Sequence, residues 1–141
     1  MKRFFHIGSK FILFIFLAYG CREEIINPES FVESVNIPVQ INGNNSYTYL
    51  LKGKNFTSTL IIPAYINGNS SIINVTLIDY NGGYAKMTIR DSDDIERYRY
   101  FMAEDISMFS DITEGYVPKK IEIKTFEFTG NLKIKVTKNT F

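Results

Sequence analysis

From Val35 onward, short runs rich in β-branched and aromatic residues alternate with clusters of Gly and Asn, and this rhythm restricts the fold more than any other feature of the chain. Strands are expected near 35–41, 47–52, 56–62, 71–79, 84–90, 95–102, 119–128 and 132–138. The intervening breaks hold Asn42-Gly43, Gly53, Asn67-Gly68, Asn81-Gly82-Gly83, Asp91–Asp94, Gly115 and Thr129-Gly130-Asn131. Branched and aromatic side chains suit a pleated surface, whereas Gly and Asn tolerate the backbone conformations of turns. No long segments of helical period separate the runs, which excludes an alternating α/β fold. The expectation is an all-β domain over 35–141: an antiparallel β-sandwich of immunoglobulin-like size with about seven or eight strands. A small up-and-down β-barrel around an apolar ligand is the alternative.

Local patterns sharpen this expectation. A three-residue loop at Thr129–Asn131 would set Phe128 opposite Leu132 and Phe126 opposite Ile134, in a closing hairpin. Ile121 and Ile123 are then out of phase with Phe126 and Phe128, and one extra residue at Lys124-Thr125, a β-bulge, restores the phase. Ile41–Ser46 and Ile66–Ser71 repeat nearly the same residues and are expected as hairpin loops. Ala103, Ile106, Phe109 and Ile112 recur every three residues, which predicts one or two helical turns plugging one end of the sandwich.

Composition removes several chemistries. The chain has one Cys, one His and no Trp. The His and three basic residues lie in the first twenty, so residues 21–141 carry 13 basic against 15 acidic side chains, a formal charge of −2. A chain so close to neutral has no global basic field, and no nucleic-acid partner is expected. Without His beyond that segment, Ser-His-Asp and Cys-His catalysis and His-ligated metals are excluded. No enzyme activity, cofactor or metal is expected. The acids Asp91, Asp93, Asp94 and Glu96 fail the EF-hand pattern, since Ile95 stands where a ligand is needed.

The N-terminus reads as an address. Lys2 and Arg3 precede a continuous apolar run from Phe11 to Tyr19, closed by Gly20-Cys21. Nine residues span about 14 Å as a helix, half of a roughly 30 Å hydrocarbon core, so the run suits a secretory signal peptide better than an anchor. Leu17-Ala18-Tyr19-Gly20-Cys21 resembles the lipobox of bacterial lipoproteins, with Leu one position further from the Cys than that pattern has it. The resemblance implies cleavage before Cys21 and acylation of its sulfur and new N-terminus; several acyl chains anchor firmly where one is marginal. Arg22-Glu23-Glu24 is similar to the surface-export signal of Bacteroidota-type lipoproteins. It implies an outer-membrane lipoprotein displayed at the cell surface, the periplasmic face being the alternative. Residues 1–20 are then a removed signal peptide and 21–34 an acylated Cys with its tether.

One surface is a candidate for binding. If Tyr98 and Tyr100 face the core with Met87, then Lys86, Arg97 and Arg99 share the outer face near Tyr84, suited to an anionic glycan or an envelope protein. The functional expectation is a lipid-anchored, non-catalytic binding or adhesion module. An accessory subunit of an envelope or secretion assembly is the alternative, and a lipid carrier or glycan-active enzyme ranks below both.

Overall fold

The structure, a computed structural model, describes residues 33–140. Cys21, Arg22, Glu23 and Glu24 lie outside the described residues. Six strands form, and all of them pair antiparallel: β1 (Val39–Gly43), β2 (Ser46–Pro63), β3 (Ser70–Arg90), β4 (Glu96–Met102), β5 (Ile106–Glu114) and β6 (Lys120–Lys138). They make one sheet in the order β1-β2-β6-β3-β4. β5 follows β4 along the same edge of β3, so β4 covers Ala85–Arg90 and β5 covers Ser70–Leu77. The all-β antiparallel expectation holds. There are fewer and longer strands than the sequence suggested, because three pairs of expected strands are each one continuous strand: 47–52 with 56–62 in β2, 71–79 with 84–90 in β3, and 119–128 with 132–138 in β6.

The Gly and Asn clusters inside these long strands are bends. Gly53 of β2 lies directly opposite Gly130 of β6, and Ile78–Tyr84 of β3 faces Phe126–Asn131 of β6 at the same level. Each of the three strands places a non-glycine residue in the left-handed region there: Asn55 (φ 51°), Asp79 (φ 55°) and Glu127 (φ 47°). Asn and Asp tolerate that conformation through their short polar side chains, and Glu does so less readily. The bulges free backbone amides, and side chains satisfy them. Asn55 N–H donates to Thr129 Oγ1 (2.9 Å), Glu127 N–H to Thr57 Oγ1 (2.8 Å) and Tyr80 N–H to Asp105 Oδ1 (2.9 Å). Tyr80 Oη donates to the Gly83 carbonyl (2.8 Å) and clamps the widest bulge.

Bent at one level, the sheet folds onto itself. A straight strand of 18 residues would run about 60 Å, yet the two ends of β2 meet. Asn45 N–H donates to the Tyr65 carbonyl (3.2 Å), and Asn67 N–H donates to Asn45 Oδ1 (2.9 Å). The links 64–69 and 115–119 both cross from one half of the sheet to the other, and the shorter one reaches about 20 Å at most. We call the halves arm A (β1, β5 and the ends of β2, β3 and β6 on their side of the bend) and arm B (β4 with the opposite ends). The inner faces of the two arms share one core within a single sheet. Tyr49, Leu51, Val75, Leu77, Ile134 and Val136 of arm A share one core with Ile62, Ala85, Met87, Ile89, Ile121 and Ile123 of arm B. Tyr100 of β4 stacks on Phe109 of β5 across the core, at 4.1 Å between centroids. Ala64 and Ile66 of the crossing link are buried in the same cluster.

Three local expectations are corrected. Thr129–Asn131 is no hairpin loop, since Phe128 pairs with Phe56 while Leu132 pairs with Leu51 and Leu77. The phase slip in β6 is real, but its bulge falls between Thr125 and Phe128, past Lys124-Thr125. Residues 103–112 form no helical turn. Ile106 pairs with Leu77 and Phe109 with Val75, so three residues of β5 match two of β3; Ile106 and Phe109 both face the core, while Ile112, in regular register beyond them, faces out. Of the two echoed loops, Asn44-Asn45 turns the β1–β2 hairpin, while 64–69 is a crossing link, because β6 lies between β2 and β3.

Candidate functional site

The outer face of arm B carries a cluster of partly and fully exposed aromatic rings. Strand alternation sends Ala85, Met87 and Ile89 inward, and Tyr100 and Tyr98 stand opposite Met87 and Ile89 on that side. Burial pushes the Tyr98 and Tyr100 hydroxyls above the usual tyrosine range, with the Asp111 carboxylate adding to the effect at Tyr98, so both stay neutral. The alternate positions face out. Tyr84 stacks on Phe101 of β4 (5.1 Å between centroids) and on Phe126 of β6 (5.7 Å), making a three-ring row across three strands. Phe101 and Phe126 are 56% and 44% exposed. Phe126 keeps the outward phase of Lys124 and Glu122, and the bulge at Glu127 turns Phe128, two residues later, into the core.

Cations border the rings. Lys86 stands opposite Phe101 on one side and Lys124 on the other, and in the next row Thr88 stands between Arg99 and Glu122. Thr88 is buried beneath these neighbours, and its hydroxyl has no hydrogen-bond partner. Of the expected face, the structure therefore brings Tyr84, Lys86 and Arg99 together. Arg97 is directed elsewhere. It is the extra residue of a bulge between Ile89 and Arg90, and its Nε donates to Asp91 Oδ2 (2.5 Å).

The acidic residues of the β3–β4 hairpin are committed to structure. Asp91, only 6% exposed, accepts the Asp93 and Ile95 amides on Oδ1 (2.9 and 3.0 Å), fixing the turn, while Arg97 holds its other oxygen. Asp94 pairs with Lys120 (2.8 Å), and Glu96 pairs with Arg99 (2.7 Å) and, at 3.9 Å, with Arg90. The hydrogen bonds from Arg97, Lys120 and Arg99 hold the three carboxyls below the usual carboxylate range. Among the described residues, no group of three or more His, Cys, Asp or Glu side chains is placed to hold a metal ion.

Phe101, Phe126 and Lys124 complete the face and were not singled out from the sequence. Phe101 was legible as the outward neighbour of Tyr100. Phe126 was hidden by the bulge, which reverses the alternation within two residues.

No protein-family model matches the chain, and no curated protein matches it in sequence. Among solved structures, a Bacillus endospore appendage, described as forming a novel family of disulfide-linked pili, is similar at 12% identity and a TM-score of 0.43, over 80% of this chain and 99% of that one. Likeness at that level assigns no family. What the fold and the face define is an all-β domain with an exposed aromatic and cationic surface.

Proposed function

We propose that the chain is a lipid-anchored, non-catalytic binding module of the bacterial outer membrane, displayed at the cell surface and engaging its ligand through the outer face of arm B. The observation that carries the binding role is the exposed row Tyr84–Phe101–Phe126. Stacked rings left in water on a sheet face forgo the burial that normally places Phe inside, and exposed apolar groups edged by polar ones mark interaction sites. The anchoring role rests on the order of a basic start, a short apolar run and Cys21 directly after Gly20. An assembly subunit would present one large apolar face, but the exposed aliphatics Ile41, Ile61, Met108 and Ile112 are spread over β1, β2 and β5.

Two measurements test this proposal. Palmitate labelling with intact-mass analysis is expected to find residues 1–20 removed and acyl chains on Cys21, and Cys21→Ala to take up no label. An unlabelled wild-type protein retaining residues 1–20 contradicts the anchor. For binding, a glycan array probed with the full chain and with Phe101→Ala/Phe126→Ala is expected to lose its signals in the variant. Signals that survive the double substitution place the site elsewhere.

A further inference from the structure

We infer that the outer face of arm B takes an acidic polysaccharide, with carboxylates of uronic-acid residues over Lys86 and Lys124 and sugar faces stacked on Tyr84, Phe101 and Phe126. This rests on the binding-module proposal and adds the ligand class. Lys86 and Lys124 are direct cross-strand partners on one face. Like charges so placed repel, and a sheet under no other demand avoids the pairing. Most cations around arm B's charged hairpin are paired, Arg90 and Arg99 with Glu96, Arg97 with Asp91 and Lys120 with Asp94, while the exposed Lys119, bonded through its backbone to Arg90, has no ion pair among the described residues. Among the described residues, Lys86 and Lys124 have no ion pair, and Lys86 acts on Glu96 only at longer range. Two unpaired ammonium groups therefore stand against a row of exposed rings.

That combination selects a ligand with discrete acids on an apolar frame. The rings offer flat surfaces for the C–H faces of sugars, and the lysines offer charge-assisted hydrogen bonds to carboxylates. A continuous phosphate backbone fits less well. Glu122, one row away, and the exposed Glu127 put negative charge beside the lysines, which spaced carboxylates can straddle and a polyphosphate cannot.

The test uses the full chain in detergent, with oligogalacturonate, the same oligomer methyl-esterified, poly-glutamate and single-stranded DNA as probes. Oligogalacturonate is expected to bind about ten-fold or more tighter than its neutral ester, with an affinity that falls as salt rises. Lys86→Gln/Lys124→Gln is expected to reduce the acid to the affinity of the ester while the melting temperature stays level or rises, since a repulsion has been removed. Phe101→Ala/Phe126→Ala is expected to abolish binding of both oligomers. Equal affinity for acid and ester, or a preference surviving the lysine substitutions, overturns the ligand class while ring-dependent binding of the ester leaves the module standing. Poly-glutamate or DNA binding as tightly as oligogalacturonate also overturns it. If no oligomer binds, or if the ring variant binds as well as wild type, the module proposal falls with it.

Discussion

The β3–β4 hairpin and the mid-sheet bend are built from the same residue types to opposite ends. At the hairpin, Asp91 caps the turn, Asp94 adopts φ 63°, and the chain reverses so that Arg90 faces Glu96. At the bend, Asn55, Asp79 and Glu127 adopt nearly the same φ, but the strands continue past them and pairing resumes beyond Gly53, Gly82 and Gly130. A left-handed residue becomes a turn when the next residues pair back on their own strand. It becomes a bend when neighbouring strands carry bulges at the same level and pairing can resume. The difference lies in the partner strands, not in the local sequence.

The strongest way to break the bend is at Gly83. Its φ is 71°, and a Cβ there would collide with the backbone of Phe126 and Glu127. Gly83→Ala is expected to cost about 3 kcal/mol or more in denaturant unfolding. A loss under about 1 kcal/mol, as for an open turn, would show that the strands need not approach there.

The hairpin responds to acid instead. Asp91, Asp94 and Glu96 titrate lower when folded than their unfolded values of about 3.9 and 4.3. Their contribution is therefore complete above those unfolded values and is lost as pH falls through the lower folded ones. Thermal melts are expected to be level near neutrality and to decline below about pH 4, and Asp91→Asn is expected to flatten part of that decline. An unchanged acid limb in the variant would remove Asp91 from the account.

The legibility of the sequence divides along the same line. Strand type, antiparallel order and the inward set Ala85, Met87 and Ile89 follow from alternation alone. The hairpin at Asp91–Asp94 does too, because its Asx turn is local. The continuity of β2, β3 and β6 does not, since Gly53 or Thr129-Gly130-Asn131 reads as a chain reversal until a neighbour bulging at the same level is known. The candidate site divides likewise. Tyr84, Lys86 and Arg99 follow from alternation within one hairpin, whereas Phe126 comes from β6, where the bulge at Glu127 puts it out of phase with Phe128.

Smaller effects sharpen the comparison. If the arms face each other across the bend, Tyr100 and Phe109 are coupled although they lie on different arms. A double-mutant cycle to Leu is expected to give about 1 kcal/mol, and zero coupling would separate the arms. Glu127→Asn keeps the bulge and relieves a poorly tolerated φ, for a gain of about 0.5 kcal/mol. A loss instead would show that the Glu127 side chain contributes to the bend.

The central claim is that one sheet of long strands folds in two, and the distance between the ends of β2 tests it most directly. Asn44 and Tyr65, both exposed, flank that strand and carry spin labels in a Cys21→Ala background. With Asn45 N–H bonded to the Tyr65 carbonyl, a pulsed dipolar measurement is expected to centre below about 25 Å, allowing for the label arms. An unbent strand would hold the labels about 65 Å apart, and a distribution near that value would contradict the folded sheet.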